Sequence, residues 1–225
     1  YGAMMWLLIA FKKFKATRGL WGSTWVGLKY FEQFIKDPYF WKLVRNTVVL
    51  NLLGLVFSFP APIVLALMIN EVRSRRFKKD VQTVSYMPYF ISMVVLCGLL
   101  KTFSMQDGLF SQIATVFGGK AQNFLANPNY FRTIYVLSDI WSGIGWNSII
   151  YLAALSSIDQ EQYEAARVDG ANRFQQMLHI TLPGLVPTIM ILFILRMGNI
   201  LNVGYEKILL LYNSATYSTA DVIST

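Results

Sequence analysis

The sequence contains very little of the side-chain chemistry on which metal sites and disulfide frameworks depend. It has one cysteine, Cys97, and one histidine, His179, in 225 residues. A single cysteine cannot form an internal disulfide, and a single histidine without a cysteine pair cannot build a multi-histidine zinc site. Cys97 lies in an apolar run, so we expect a small buried residue there. We expect His179 to make a packing or loop contact.

Two motifs that mark catalytic chains are also missing from the sequence. It has no G-x-x-x-x-G-K-[ST] loop of the kind that holds nucleotide phosphates. It has no G-x-S-x-G elbow of the kind that presents a nucleophilic serine. The residues therefore give no reason to expect an enzyme. If the chain works with ATP, we expect another chain to bind the nucleotide.

Charged residues are scarce as well. They make up 14% of the chain, whereas soluble domains carry about a quarter. Hydrophobic residues make up 55%, aromatic residues 15%, and the mean hydropathy is +0.43. This balance favours a membrane protein, and no basic and aromatic pattern indicates a nucleic-acid partner. The formal charge of +8 is then expected in loops that face anionic lipid or the cytoplasm.

Long runs without charge predict an all-α integral membrane protein. Asn46 to Asn70 has no charged residue in 25 positions, which is enough to cross a bilayer with some tilt. Pro60 and Pro62 should kink or locally break this span. Tyr1 to Phe11 is too short to cross alone, and we interpret it as the tail of an earlier span. A further span is expected beyond Thr225. The other predicted spans are Val81 to Leu100, Tyr130 to Ile158 and Pro183 to Tyr205.

The segments between these runs differ in composition. Trp21 to Trp41 is rich in aromatic residues, which is typical of the membrane interface. Glu71 to Asp80 holds five basic residues in ten and indicates a cytoplasmic turn. Lys12 to Lys42 holds seven basic residues, so charge alone leaves the orientation ambiguous. Lys101 to Asn129 and Lys207 to Thr225 are predicted to be polar connections.

One polar segment, Glu161 to Pro187, stands between two apolar runs. Ser157 lies three residues before Gln160, which is the spacing of a capping box at a helix start. Gly170 can adopt the left-handed conformation that ends a helix. The predicted order is a helix at Tyr163 to Val168, the turn at Gly170, a second helix from Ala171 to about Ile180, and Pro183 in the first turn of the next helix.

This segment resembles the EAA loop of the permease subunits of binding-protein-dependent ABC importers. The positions that carry the resemblance are Glu164, Ala165, Ala166, Gly170, Ile180, Leu182 and Pro183. An earlier segment resembles the one that precedes the second span in the carbohydrate-uptake class. Its matching positions are Trp25, Val26, Gly27, Leu28, Phe31, Asp37, Phe40, Asn46 and Thr47.

The resemblance implies the transmembrane fold of type I ABC importers, with about six helices in the full chain and five at least partly present here. Residues 1–225 would form one permease domain, truncated at both ends, in the bacterial cytoplasmic membrane. Residues 156–182 would form its cytoplasmic coupling loop. It implies no cofactor on this chain, because ATP and Mg would be bound by two cytoplasmic ATPase subunits. The other implied partners are a second homologous permease, an extracellular solute-binding protein and membrane lipid. The resemblance implies no nucleic-acid partner.

In this family the EAA loop forms a coupling helix that docks in a cleft of an ATPase subunit. Closure of the ATPase pair moves the coupling helices, and the spans switch from inward-open to outward-open. Small alanine side chains allow a close approach to the partner, and a carboxylate can bind an arginine or a backbone amide. The coupling residues that the resemblance implies are Glu164, Ala165, Ala166, Asp169 and Gly170.

Polar residues within the last two predicted spans are candidates for a substrate pathway, because polar groups in lipid usually face the protein interior. Arg196, Asn199, Asn202 and Glu206 follow helical steps of three, three and four, which predicts one shared face. Asp139 and Trp146 share a face of the preceding span, with Asn147 off it. The resemblance places the central sugar site around Trp146, Tyr205 and Glu206. The candidate pathway residues are Asp139, Trp146, Arg196, Asn199, Asn202, Tyr205 and Glu206. The alternative is that these residues only hold the helices together.

The depths of Asp139 and Arg196 in their spans differ by only about 5 Å at the helical rise per residue. An isolated charge at that depth is costly, so the sequence predicts an ion pair between them. Side chains more than about 6 Å apart without a bridging water would contradict this pair.

These features favour the permease subunit of an ABC importer for sugars, and oligosaccharides in particular. The stretch from Leu209 to Thr225 resembles permeases for complex or uronate-containing oligosaccharides. One alternative is an ABC permease for an amino acid or a peptide. Others are an ion-coupled secondary transporter, which needs paired broken helices in two repeated halves, and a membrane scaffold, which needs no ATPase-docking helix.

Overall fold

The computed structural model describes residues 6–15, 17, 19 and 21–225. It divides into two compact units, residues 1–45 and 46–225. The span tail predicted at Tyr1 to Phe11 lies partly outside the described residues. Its described part, Trp6–Phe11, is a 3-10 helix.

Aromatic contacts organise the first unit. Phe11 stacks on Trp25 with ring centroids 5.6 Å apart, and Phe11 also contacts Phe31 at 5.2 Å. Trp25, Phe31 and Phe34 remain exposed, in agreement with a segment at the membrane interface. The elements of this unit are β1 (Lys12–Lys13), its antiparallel partner β2 (Thr24–Trp25) and α1 (Lys29–Lys36).

Helices make up the rest of the described chain. The long ones run next to each other and the short ones connect them. The helices are α2 (Pro38–Leu53), α3 (Pro60–Glu71), α4 (Arg75–Tyr86), α5 (Met93–Ser104), α6 (Leu109–Val116), α7 (Pro128–Ser156), α8 (Gln160–Val168), α9 (Arg173–Gln176), α10 (Leu182–Gly198), α11 (Tyr205–Leu211) and α12 (Tyr217–Ala220). Short 3-10 helices lie at Met87–Phe90 and Phe124–Ala126, and π-helical turns at Gly54–Ser58 and Met177–Thr181.

The prolines of the predicted Asn46 to Asn70 span widen the helix without breaking it. Because proline has no N–H and its ring conflicts with the carbonyl four residues earlier, a regular α-turn before it is disfavoured. The chain forms a π-turn before Pro60, and Phe59 N donates to the Gly54 carbonyl five residues earlier at 2.9 Å. α2 and α3 thereby join into one helix of 34 residues, Pro38–Glu71.

The same device precedes Pro183. A π-turn joins α9 to α10, so the chain from Arg173 to Gly198 is one continuous helix of 26 residues. The prediction that Pro183 begins a separate helix is therefore wrong. The proline follows a widened turn inside a helix that has already started.

Two of the predicted spans are not single straight helices over their predicted lengths. The run from Val81 to Leu100 is bent by 97° between Phe90 and Met93. Ser92 causes a new helix to begin there, because its side chain accepts a hydrogen bond from Val95 N. The run from Pro183 to Tyr205 ends as a helix at Gly198. Composition marks a run as apolar, but it does not fix the direction of the backbone.

Two helices of the described chain, Pro38–Glu71 and Arg173–Gly198, are long and apolar enough to cross a membrane. The bent pair Arg75–Phe90 and Met93–Ser104 makes a third if it counts as one span. α7 has sufficient length at 29 residues but is more polar. The span predicted at Tyr130 to Ile158 is therefore a single long helix, but it is less apolar than the two helices that are long and apolar enough to cross a membrane.

α7 lies at the centre of the second unit and packs against α3, α4, α10 and α12. Phe131 near its start belongs to a buried cluster that includes Cys97, and Tyr151 near its end belongs to a second cluster with Ala66 and Leu185. Cys97 is buried, as its apolar surroundings predicted. The helix thus connects two separate apolar cores.

Gly145 allows α7 to touch α4, and its replacement by alanine tests that contact. A Cβ at this position would lie only 2.0 Å from the Ser85 backbone oxygen, so the helices would have to separate. We expect Gly145→Ala to lower the free energy of unfolding by about 1–3 kcal/mol, as overpacking does. Thermal unfolding of the detergent-solubilised protein measures the change.

Gly98→Ala is the matched control for this substitution. Gly98 also lies within a helix, but an added Cβ there meets nothing within 4 Å. Its stability should stay the same or rise slightly, because alanine favours a helix over glycine. Equal losses in the two variants would show that the α4–α7 contact is not the cause.

Candidate functional site

The polar loop after α7 begins with a cap that differs from the predicted one. The Asp159 side chain accepts from Glu161 N at 3.0 Å and caps α8. Ser157 does not take this role, because it still belongs to the end of α7, where its backbone is in the right-handed helical region and its hydroxyl donates to the Ala154 carbonyl at 2.7 Å. The cap predicted at Ser157 therefore lies two residues later, at Asp159.

The turn at Gly170 is confirmed. Gly170 has a φ of 80°, in the left-handed region that glycine adopts without strain. Ala171 N donates to the Ala166 carbonyl at 2.8 Å, which closes the end of α8. Asn172 and Gln175 then form a complete capping box, so the next helix begins at Arg173 and not at Ala171.

The predicted coupling residues lie together on the outside of this loop. Glu164, Ala165, Asp169 and Gly170 are exposed, and Ala166 is partly buried. Two apolar side chains that the sequence did not single out are exposed beside them. Val168 is 88% exposed and Phe174 is 66% exposed. Both lie in the same exposed loop region as the predicted coupling residues.

The inner side of the loop is tied to the long helices by two contacts. The Tyr163 hydroxyl and the buried Thr181 hydroxyl share a hydrogen bond of 2.9 Å. Arg173 lies 3.6 Å from the Glu71 carboxylate at the end of α3. These ties link the loop to the π-turn before α10 and to α3. His179 makes the expected loop contact, with Nδ1 3.0 Å from the Gln175 carbonyl oxygen.

Two cavities lie between the helix Pro38–Glu71, α7 and α10, and they are named the polar cavities after the charged and amide side chains in their walls. One has a volume of about 220 Å³ and the other about 410 Å³. Both are lined by Ser58, Asp139 and Arg196. The smaller also has Asn202 and Glu206 in its wall, and the larger has Asn147 and Asn199. Five of the seven predicted pathway residues are therefore brought to one place.

Trp146 and Tyr205 are not in the walls of these cavities. Trp146 stacks on Tyr89 with ring centroids 4.7 Å apart, at the bend before α5. Asn147 takes the cavity position instead, so the prediction that it lies off the shared face is wrong. Tyr205 is exposed at the start of α11.

The shared helix face predicted for Arg196, Asn199, Asn202 and Glu206 is also wrong. α10 ends at Gly198, and the next helix begins only at Tyr205. The four side chains reach the cavities from a helix end, a loop and a new helix. The Asn199 side chain donates to the Leu195 carbonyl at 3.0 Å and so helps to close α10.

Asp139 is paired with a residue that the sequence did not suggest. Lys207 Nζ lies 3.7 Å from the Asp139 carboxylate and donates to the Tyr135 carbonyl at 3.0 Å. The ammonium also lies 4.4 Å from the centre of the Tyr135 ring, and its side chain is only 4% exposed. Among the described residues Arg196 forms no ion pair, so the predicted Asp139–Arg196 pair is wrong. A lysine directly after Glu206 was the only feature of the sequence that could have suggested Lys207 as the partner of Asp139.

Known proteins match this chain over the loop and the cavities together. Residues 45–204 match the family described as binding-protein-dependent transport system inner membrane component. The chain belongs to this family. It is 44% identical to protein LplB of Bacillus subtilis over 98% of this chain and 70% of that protein. It is 43% identical to the polygalacturonan/rhamnogalacturonan transport system permease protein YteP of the same organism, over 100% and 70%.

A solved structure agrees over the whole chain. The crystal structure of a bacterial ABC transporter for import of the acidic polysaccharide alginate matches with a TM-score of 0.89 and 46% identity, over 100% of this chain and 76% of that one. The all-α type I importer fold, the inner-membrane location and the role as a transport subunit are thereby confirmed. The chain is a permease, and it is not an enzyme.

Lys207→Met tests the buried contact between α11 and α7. The substitution removes the ion pair with Asp139 and the hydrogen bond to the Tyr135 carbonyl, which keeps the Ser138 hydroxyl as a donor. We therefore expect a loss of about 1–3 kcal/mol in the free energy of unfolding. Chemical unfolding followed by tryptophan fluorescence measures it. Adding Asp139→Asn should recover part of the loss, because the carboxylate then no longer lacks a partner.

Lys101→Met serves as the control, because Lys101 is an exposed lysine on α5. It should change stability by less than about 0.5 kcal/mol. If Lys207→Met were as harmless as this control, the contact would not hold α11 in place.

Proposed function

We propose that this chain is the membrane permease of an ATP-driven importer of oligosaccharides that an external solute-binding protein delivers. The observation that carries the proposal is the match over the whole chain to the alginate importer permease. A second structure of an alginate transporter contains an alginate pentasaccharide-bound periplasmic protein, and it matches with a TM-score of 0.88. Relatives named for lactose and for arabinooligosaccharides also favour a sugar over an amino acid or a peptide.

The polar cavities provide the pathway. Sugars offer many hydroxyl groups, and a carboxylate, an amide and a guanidinium can each bind them. Asp139, Arg196 and Glu206 supply the charged groups, and Asn199 and Asn202 the amides. Trp146 and Tyr205 remain predicted contacts that would require the substrate to reach beyond these two cavities.

The loop after α7 would transmit the movement of the ATPase subunits to the membrane helices. We propose that α8 docks in a cleft of an ATPase subunit, with Glu164, Ala165 and Val168 at the contact. ATP and Mg are bound by two such subunits, and a second permease completes the pathway. Closure of the ATPases pushes on α8. The Tyr163–Thr181 bond and the Arg173–Glu71 contact pass that movement to α10 and α3.

The force reaches the cavities through rigid elements. α10 carries Arg196 near one end and is joined to Thr181 at the other. α7 carries Asp139 and leads directly into the loop. A displacement of the loop therefore moves two walls of the cavities, which is the change that alternating access requires.

Val168→Asp tests the docking surface without disturbing the core. Because Val168 is almost fully exposed, the substitution should leave folding unchanged. A charge in an apolar cleft should reduce the ATPase that co-purifies with the tagged chain from native membranes by about tenfold or more. ATPase activity in mild detergent, with and without the binding protein, is the measurement.

Val116→Asp is the matched control. Val116 is 82% exposed, but it lies at the end of α6 and outside the loop. The co-purified ATPase should stay within about twofold of wild type, as for surface substitutions in general. Full retention of ATPase by Val168→Asp would remove this face of α8 from the docking surface. If no ATPase accompanied the wild-type chain, the importer proposal itself would fail.

A further inference from the structure

Arg196 is a cation that both polar cavities share and that forms no ion pair with an acid of the described chain. It lies in the last turn of α10 and lines both cavities. Within the described part of the chain, its guanidinium has neither an ion pair nor a hydrogen bond. A guanidinium carries five N–H donors and stays charged, so its own chemistry requires an acceptor.

The other charges in the cavities leave Arg196 as the available anion-binding group. Asp139 and Lys207 neutralise each other at 3.7 Å. Glu206 is exposed and forms no ion pair with the described residues, so it can accept hydrogen bonds from hydroxyl groups. The Ser58 hydroxyl is buried without a partner in the described structure and lines both cavities. Of the two cations in the cavity walls, Lys207 is paired and Arg196 has no ion pair among the described residues. Arg196 lies beside groups that can bind hydroxyls.

Gly54 leaves room for the guanidinium. Arg196 Nη2 lies beside the π-turn at Gly54, where an added Cβ would approach it to 3.0 Å. Gly54 is itself buried, whereas Arg196 is exposed. The absence of a side chain at this glycine therefore makes room for the guanidinium between α2 and α10.

From these contacts we infer that Arg196 binds the carboxylate of an acidic sugar, so that the cargo is a uronate-containing oligosaccharide. A uronate presents one planar carboxylate, which a guanidinium binds through two parallel hydrogen bonds, and hydroxyl groups that Glu206 and Ser58 can bind. A neutral sugar offers no carboxylate for these two parallel hydrogen bonds. This inference rests on the proposed import function and specifies its substrate class.

A purely structural role for Arg196 makes a different prediction. A cation in the last turn of a helix interacts favourably with the helix dipole. In that role its charge would affect stability, and it would affect the transport of acidic and neutral sugars equally. The comparison of two matched sugars therefore separates the roles.

The test uses the complete importer in proteoliposomes, with its binding protein and ATP. The probes are radiolabelled trigalacturonate and the same trisaccharide with its carboxyl groups reduced to alcohols. Wild type should import the acidic probe at least about tenfold more efficiently than the neutral one. Arg196→Gln should abolish most of this difference by raising the half-saturation concentration for trigalacturonate by about tenfold, with little change for the neutral probe.

Three further variants make the result specific. Arg196→Lys keeps the charge and should restore part of the preference, although it cannot form the two parallel hydrogen bonds. Gly54→Ala keeps the arginine but displaces it, so it should also raise the half-saturation concentration for the acidic probe. Arg76→Gln removes an exposed arginine of α4 and should leave both probes unaffected. Thermal unfolding of each variant checks that the protein is folded.

The outcomes are distinct. Equal effects of Arg196→Gln on both probes, or no effect on trigalacturonate, would overturn the inference while import itself stands. Efficient wild-type import of the neutral probe without import of trigalacturonate would also overturn the inference while import itself stands. ATP-dependent uptake of neither probe by wild type, nor of a panel of neutral oligosaccharides, would overturn the proposed function and this inference with it. If Arg196→Gln fails to fold, Gly54→Ala and Arg196→Lys still decide between the two roles.

Discussion

The close packing of α7 against its neighbours is the constraint on which the other features depend. Gly145 permits backbone contact with α4, and buried residues along the helix connect two apolar clusters. Asp139 reaches the cavities from its middle, and the coupling loop begins where it ends. Since one helix carries Asp139 and leads into the loop, a displacement of the loop would also move this part of the cavity wall.

The two π-turns show how prolines serve this arrangement. Each one lies before a proline, so each relieves the conflict that a proline creates in a regular helix. The turn at Gly54–Ser58 brings a buried glycine against Arg196, and the turn at Met177–Thr181 contains the hydroxyl that binds Tyr163. The irregular backbone is thus found where the cavities and the loop meet the long helices, which is common at functional sites.

The cavities combine fixed and available charges. Lys207 is held by a carboxylate, a carbonyl and an aromatic ring, so it fixes α11 against α7 and is not free for a ligand. Arg196 and Glu206 have no such partners among the described residues. A buried lysine paired with a half-exposed aspartate positions the wall, and the exposed charges beside it remain available for a ligand. The sequence predicted a pair between Asp139 and Arg196 and did not single out Lys207.

The sequence determined those features that depend on local chemistry. The polar loop after α7, the turn at Gly170, the burial of Cys97 and the helical membrane class follow from residue type and spacing over short distances. Tertiary structure decided which charges meet. Counting residues along two helices placed Asp139 and Arg196 at similar depths, but it could not give their rotation about the helix axes, and Lys207 arrived from a separate helix. The 97° bend at Ser92 and the end of α10 at Gly198 likewise depend on hydrogen bonds and packing that hydropathy does not encode.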